Sequence, residues 1–341
     1  MNRTRLNSDT NEQPHLRAMA EAVCHGDRAA LSRAITLVES TRDADRIHAT
    51  QLLDMVWSKR PAKTLRFAVT GPPGAGKSTL IERLGSHMLA RDRRVAVLAV
   101  DPTSRRTGGS ILGDKTRMPR LATHPEAFVR PSPSAGNLGG VTRSTRDAVV
   151  LCEAAGFDTT IVETVGVGQS EVEVDNLVDF VVLVLLAGAG DELQGIKRGI
   201  LEVVDVLAVN KLDVDREAAL AARRLYRTAL SIMEPRFEGW RAPVVACSAV
   251  SGEGIEEIAD ALDRLDVATT DSGTKQRRRS DQLRNWFTNS VRDLIVERVL
   301  TTPAGAGRMD SLLDEAASGS RNPTALAREL VAELATREAV T

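Results

Sequence analysis

Residues Gly71 to Thr79 read GPPGAGKST, and Gly71 to Ser78 fit the spacing G-x-x-x-x-G-K-[ST]. An apolar run, Leu65 to Val69, precedes them and a helix-like run, Leu80 to Leu89, follows. A strand, a glycine-rich loop and a helix in that order make a phosphate cradle. The glycines let the backbone of Gly74, Ala75 and Gly76 approach the phosphates, and the helix adds the positive end of its dipole. Lys77 would reach the β- and γ-phosphates, and the Ser78 hydroxyl would hold Mg²⁺. The implied ligand is a nucleoside triphosphate.

Asn210-Lys211-Leu212-Asp213 follows the apolar run Val204–Val209. The pattern NKxD at a strand end, downstream of a phosphate loop, selects guanine. The Asp213 carboxylate can accept from guanine N1–H and from the 2-amino group, and adenine offers neither donor. Asn210 would brace the base and the loop, and the stem of Lys211 would lie along the ring. Cys247-Ser248-Ala249 follows another apolar run and is similar to a second guanine loop, with the Ala249 N–H facing guanine O6.

Glu163-Thr164-Val165-Gly166 ends the run Thr160–Val162 and stands where a Walker B or DxxG motif belongs, with Glu in place of Asp. The carboxylate would act on Mg²⁺ or its waters, and the Gly166 N–H would sense the γ-phosphate. Residues Val167 to Glu173 would then form a switch loop. Asp101, at the end of Val95–Val100, either serves the same metal or caps a helix. Three further stretches, Gly108–Arg117, Arg130–Ser134 leading to Leu138–Gly140, and Ala187–Lys197, are either γ-phosphate-responsive loops or ordinary connections.

These residues need a frame, and the 341-residue chain contains one. Short apolar runs, Leu65–Val69, Val95–Val100, Phe128–Val129, Thr160–Val162, Phe180–Leu186, Val204–Val209 and Val244–Ala246, alternate with amphipathic helical stretches. That pattern predicts an α/β fold with a mainly parallel, buried sheet, and it puts every motif above at the carboxyl end of a strand. Residues 1–60 read as an N-terminal helical segment, with Ala18, Ala22, Leu31, Ile35, Val38, Ile47 and Leu52 on its inner faces and Asp27 as an N-cap. Residues 61–268 hold the nucleotide motifs. Residues 269–341 are polar, then helical: a solvated linker or helix start at Arg277–Arg279, a long helix carrying Leu283, Phe287, Val291 and Leu294, a break at Pro303–Gly307, and a last helix from about Asn322. Their apolar stripe either folds back on the core or pairs with a second copy. The net charge of -1 and 3% aromatics give no electrostatic or stacking case for nucleic acid or an anionic membrane. The longest apolar run, Phe180 to Ala187, is too short to span a bilayer, and the three scattered cysteines indicate neither a disulfide scaffold nor a zinc site. A reducing cytoplasm is the expected location.

Residues from about 27 to 300 resemble the MeaB/ArgK/MMAA family of P-loop GTPases. The motifs that carry the match are GDRAALSRAITLVES, PPGAGKST, DPTS with GGSILGDKTRM, RPSPS with LGGV, IVETVGVGQSE, GAGDELQGIKRGI and NKLD. The resemblance implies a chaperone of adenosylcobalamin-dependent acyl-CoA mutases, chiefly methylmalonyl-CoA mutase. It implies that Lys77, Ser78 and Thr79 bind phosphate and Mg²⁺. Asp101, Asp114 and Glu163 would sit in the metal and switch network, and Lys197 would complete the active site when the mutase docks. It also implies that the C-terminal helices form a homodimerisation arm. Two departures stand out: Ala187 where the family often has Pro, and the charged pair Arg105-Arg106 after DPTS. The alternatives are a small-molecule kinase or ATPase of arginine and ornithine transport, and a nickel-inserting GTPase, although no Cys/His metal segment stands out.

Overall fold

The computed structural model describes residues 13–101, 118–133, 140–164, 174–187, 198–301, 303–318 and 321–338. The seven apolar runs become the strands of one sheet: β1 (Leu65–Thr70), β2 (Val95–Asp101), β3 (Ala127–Pro133), β4 (Thr159–Glu163), β5 (Phe180–Leu186), β6 (Val206–Asn210) and β7 (Val244–Ala246). Their order is β3-β2-β4-β1-β5-β6-β7. Every pairing is parallel. The helices are α1 (Gln13–Cys24), α2 (Arg28–Val38), α3 (Asp43–Trp57), α4 (Lys77–Leu89), α5 (Pro119–Thr123), α6 (Gly140–Ala154), α7 (Arg198–Glu202), α8 (Arg216–Ser231), α9 (Ile255–Asp271), α10 (Thr274–Thr301), α11 (Pro303–Ala317) and α12 (Pro323–Glu338).

Burial on both faces explains why the strands read as unbroken apolar runs. Phe180, Val182 and Val184 of β5 pack with Leu80, Ile81 and Leu84 of α4 and with Ile258 and Leu262 of α9. The intervening Leu183 and Leu185 face the other way, with Ile200 of α7 and Ala219 and Tyr226 of α8. Helix α6 lies on β2 and β4, and α1, α2 and α3 pack on α6 as a third layer. Asp27 caps α2, accepting from the N–H groups of Ala29 and Ala30 at 2.8 and 2.9 Å. The buried stripe of α1 is Leu16, Ala20 and Val23, while Ala18 is exposed and Ala22 only half-buried, and Ile47 of α3 is exposed. Leu31, Ile35 and Val38 of α2 and Leu52 of α3 are buried as expected, so only α1 and the Ile47 position of α3 depart from the expected inner faces.

Aspartates set the amino ends of the strands. Asp158, Asp179 and Asp205 stand immediately before β4, β5 and β6. Each carboxylate accepts an N–H at the start of a neighbouring strand: Arg94 at 3.1 Å, Arg66 at 2.9 Å and Val181 at 2.8 Å. Registering the strands at this end places their carboxyl ends, where the motifs lie, at a common level. Strand β3 runs through Pro131 and Pro133, which the sequence suggested was a loop. It is an edge strand, and an edge tolerates residues without an N–H on the unpaired side.

The chain divides into two compact units, residues 1–276 and 277–341. At the end of the first, Lys275 donates to Thr64 O at 2.6 Å and pairs with Asp266, which fixes the first turn of α10. Arg277–Arg279 lie within α10, so that polar stretch is helix and not linker. In the second unit α11 and α12 enclose Leu312, Leu326 and Leu330. Gly305 and Gly307, expected in a break, are helical: α10 ends at Thr301 and α11 restarts at Pro303, a residue suited to a first helical position. No helix among the described residues is long and apolar enough to cross a membrane.

The amino end of β1 also carries a buried ion pair. Arg66 donates from Nε and Nη2 to the two carboxylate oxygens of Glu153 at 2.6 and 2.7 Å, and Thr64 Oγ1 donates to the same carboxylate at 2.7 Å. Removing one partner of such a pair leaves a charge without compensation in a dry site. Glu153→Ala is expected to lower unfolding free energy by about 3 kcal/mol in urea denaturation. The nucleotide affinity of the folded protein should stay unchanged, because the pair sits at the end of β1 opposite the phosphate loop.

Candidate nucleotide-binding site

The phosphate loop leaves β1 at Gly71, whose φ is 149°. A Cβ there would lie 2.1 Å from Val184 O on β5, so only glycine lets the chain turn against the neighbouring strand. The loop enters α4 through Gly76, with φ 86°. As N-cap, Gly76 brings no side-chain oxygen to the first N–H groups of the helix, which suits an anion at that position. Lys77 is buried, and its ammonium donates to Gly71 O at 2.8 Å and Pro72 O at 3.0 Å. Burial lowers its pKa, and the nearby Glu163 carboxylate partly opposes the shift. The ammonium rests on carbonyl dipoles of its own loop, in a place where a phosphate oxygen would be a stronger partner.

Ser78, one residue on, donates from Oγ to Glu163 Oε1 at 2.8 Å. Glu163 ends β4, in register with Val69 of β1 and Ala99 of β2. A hydroxyl and a carboxylate at this separation form a hard, all-oxygen donor pair, which fits Mg²⁺ held by one or two protein groups plus substrate phosphates. Asp101 ends β2 beside them as backbone, and its side chain lies outside the described residues. Asp114, Gly166 and Lys197 also lie outside them.

Asn210 ends β6 and is buried. Its Nδ2 donates to Ala75 O in the phosphate loop at 2.8 Å, and its Oδ1 accepts from Ala249 N at 3.0 Å. One carboxamide thus joins the phosphate loop to the loop after β7. Lys211 adopts a left-handed φ of 65°, which turns the chain so that Leu212 is buried while Lys211 and Asp213 are exposed. Leu212 N donates to Cys247 O at 3.0 Å and anchors that turn on the adjacent loop. Ser248 is buried and works within its own loop: Oγ accepts from Ser251 N at 3.0 Å, and the backbone bonds to Glu253 and Gly252. Its hydroxyl thus shapes the loop that presents Ala249. Thr79 follows Ser78 in the first turn of α4.

Two residues of α4 that carry no sequence signal also reach the loops. Arg83 donates to the carbonyls of Ala249 and Val250. Glu82 accepts from Arg120 N at 2.7 Å and Leu121 N at 3.3 Å, capping α5 from another helix. On an amphipathic helix, an Arg and a Glu read as a solvated face, and only tertiary contact distinguishes them.

The chain matches the family model described as methylmalonyl Co-A mutase-associated GTPase MeaB over residues 31–304. It is 52% identical over 319 residues to a probable GTPase of Mycobacterium tuberculosis, covering 93% of this chain and 94% of that one. It is 41% identical over 335 residues to a mitochondrial methylmalonic aciduria type A homolog of Caenorhabditis elegans, covering 95% and 84%. With GTPase ArgK of Escherichia coli it shares 46% identity over 275 residues, covering 80% and 83%. Among solved structures it is similar to that of an LAO/AO transport system kinase, with a TM-score of 0.73, 34% identity and coverage of 94% and 98%.

A Cβ at Gly76 would stand 2.6 Å from Asn210 Nδ2 as well as straining a left-handed backbone. Gly76→Ala is expected to weaken GTP binding on the order of 100-fold in a fluorescent-nucleotide titration, a loss of about 2.7 kcal/mol. An unchanged affinity would show that the Asn210–Ala75 contact does not shape the site.

Proposed function

The chain belongs to the family of methylmalonyl-CoA mutase-associated GTPases, and on that basis we propose that its GTPase activity depends on Mg²⁺ and serves an adenosylcobalamin-dependent acyl-CoA mutase. Methylmalonyl-CoA mutase is the proposed client, and the protein gates its cofactor loading and protects it. The observation that carries the catalytic half is the convergence of Lys77, Ser78 and Glu163 at one end of β1 and β4. The mutase half rests on the family match over residues 31–304.

In hydrolysis, water adds in line to the γ-phosphorus while its bond to the β–γ bridging oxygen breaks, and negative charge gathers on that oxygen and on the γ-phosphate. Lys77 exchanges the carbonyls of Gly71 and Pro72 for phosphate oxygens and stabilises that charge. The N–H groups at the start of α4 do the same from the helix end. Ser78 and Glu163, with Asp101, would hold Mg²⁺, which would supply further positive charge at the phosphates. Asp213 reads the N1 and 2-amino edge of guanine, Lys211 covers the ring, and Ala249 N–H faces O6. Asp114 and Gly166 respond to the γ-phosphate, and Lys197 supplies the remaining positive charge when the mutase docks. Val167 follows Gly166, where other GTPases place a water-orienting glutamine, so hydrolysis without the partner is slow. The exposed Leu283, Phe287, Leu294 and Ile295 of α10 support pairing with a second copy. The cytoplasm is the proposed site of action.

A second reading, a small-molecule kinase, is favoured by the likeness to the LAO/AO transport system kinase. It requires a phosphoryl acceptor and an adenine preference, and nucleotide competition separates the two readings.

Asp213→Asn is expected to weaken GTP about 100-fold and to improve binding of xanthosine triphosphate, whose C2 carbonyl complements an amide. Phosphate release measured with and without methylmalonyl-CoA mutase should rise at least about tenfold with it. Equal turnover in both conditions would count against the chaperone mechanism.

A further inference from the structure

Beyond its first turn, helix α4 reaches the loop after β7 through Arg83. Arg83 donates from Nε to Ala249 O at 3.1 Å and from Nη2 to Val250 O at 2.5 Å. Its guanidinium therefore grips two successive carbonyls, one of which belongs to Ala249, whose own N–H points to Asn210 Oδ1 at 3.0 Å. The rest of the loop is held by the bonds of Ser248 to Ser251, Gly252 and Glu253 and by contacts at its two ends. Cys247 N donates to Val209 O at 2.8 Å on the sheet side. On the other side α9 is joined to the segment between α4 and β2 by Arg91 with Asp260 and Asp263 at 2.7 and 3.0 Å, and by Arg93 with Asp263 at 2.5 Å. Between those ends, the peptide after Ala249 is turned toward α4 by Arg83. Val250 is 64% exposed, so water can satisfy its carbonyl if the guanidinium is removed, whereas Ala249 is buried.

We propose that Arg83 is a positioning residue for base specificity. By holding the Ala249 and Val250 carbonyls against the phosphate-loop helix, it keeps the Ala249 N–H, which donates to Asn210 Oδ1 in this structure, beside the position that guanine O6 would take. An N–H held there favours an acceptor at position 6 of the purine and opposes the amino group that adenine carries there. A loop free to rotate loses that discrimination while the phosphate cradle, set by Gly71, Lys77 and Asn210, stays in place. This rests on the guanine-site reading of Asn210, Asp213 and Ala249 given above.

The test is calorimetric titration of the full chain with GDP and with ADP, each in Mg²⁺, for wild type, Arg83→Met and Arg83→Lys. Met keeps the apolar stem and removes the donors, and Lys keeps one charged donor. In Arg83→Met, GDP should weaken about fivefold, as for one hydrogen bond, while ADP is unchanged, so the GDP/ADP preference falls about fivefold. Arg83→Lys should fall by about half as much on a logarithmic scale. An unaltered GDP/ADP ratio in Arg83→Met overturns the proposal, whether both affinities persist or both fall together. If Arg83→Met does not fold, an unaltered ratio in Arg83→Lys overturns it. A wild type that binds ADP as tightly as GDP overturns the guanine reading itself, an outcome distinct from failure at Arg83.

Discussion

The carboxamide of Asn210 is buried at the end of β6 with both of its ends engaged, Nδ2 on Ala75 O and Oδ1 with Ala249 N. These contacts join three segments far apart in sequence, the loop after β1, the turn after β6 and the loop after β7. The sheet order makes this possible, because β1, β5, β6 and β7 are neighbours in that order. Other choices then follow. Gly76 is glycine because the amide occupies the space of its Cβ, and Gly71 is glycine because Val184 O does the same from β5. Lys211 accepts a left-handed backbone so that the chain can turn directly after Asn210 and seat Leu212 on the Cys247 loop. A buried amide engaged at both ends fixes geometry more sharply than apolar packing does, because any shift leaves a donor or acceptor exposed to a dry site.

Electrostatics at the other end of the cradle run in a complementary way. Lys77 is buried among its own loop's carbonyls, and burial pulls its pKa down while Glu163 partly restores it. A cation resting on carbonyl dipoles and one carboxylate is poised for a polyanion. The Ser78–Glu163 bond keeps the two oxygen donors together at the ends of α4 and β4. The aspartates that register the amino ends of β4, β5 and β6 act at the far side of the sheet, and they hold these carboxyl ends level.

Much of this was legible in the sequence for identifiable reasons. Strands buried on both faces appear as apolar runs, and all seven did. The turns of GPPGAGKST and NKLD depend on local backbone chemistry, and both stand at the carboxyl ends of strands as their sequence context predicts. The length of β3 was not legible, because Pro131 and Pro133 are admissible only on an edge, and edge position is a property of the whole sheet. Nor was the work of Arg83 or Glu82, whose partners lie 166 and 38 residues away at Ala249 and Arg120. Ser248 matched a base-loop pattern, and its hydroxyl serves the turn at Ser251. The inner face of α1 is not legible at Ala18 and Ala22, because alanine fits either side of a helix equally well.

If one amide joins the two halves of the site, its loss must be felt in both. Calorimetric titration of Asn210→Ala with GDP and, separately, with inorganic tripolyphosphate tests this most directly. The account predicts a loss of about 100-fold for GDP and at least about fivefold for tripolyphosphate, because the phosphate loop loses its brace along with the base. A GDP affinity that falls while tripolyphosphate binds as it does to the wild type would contradict it.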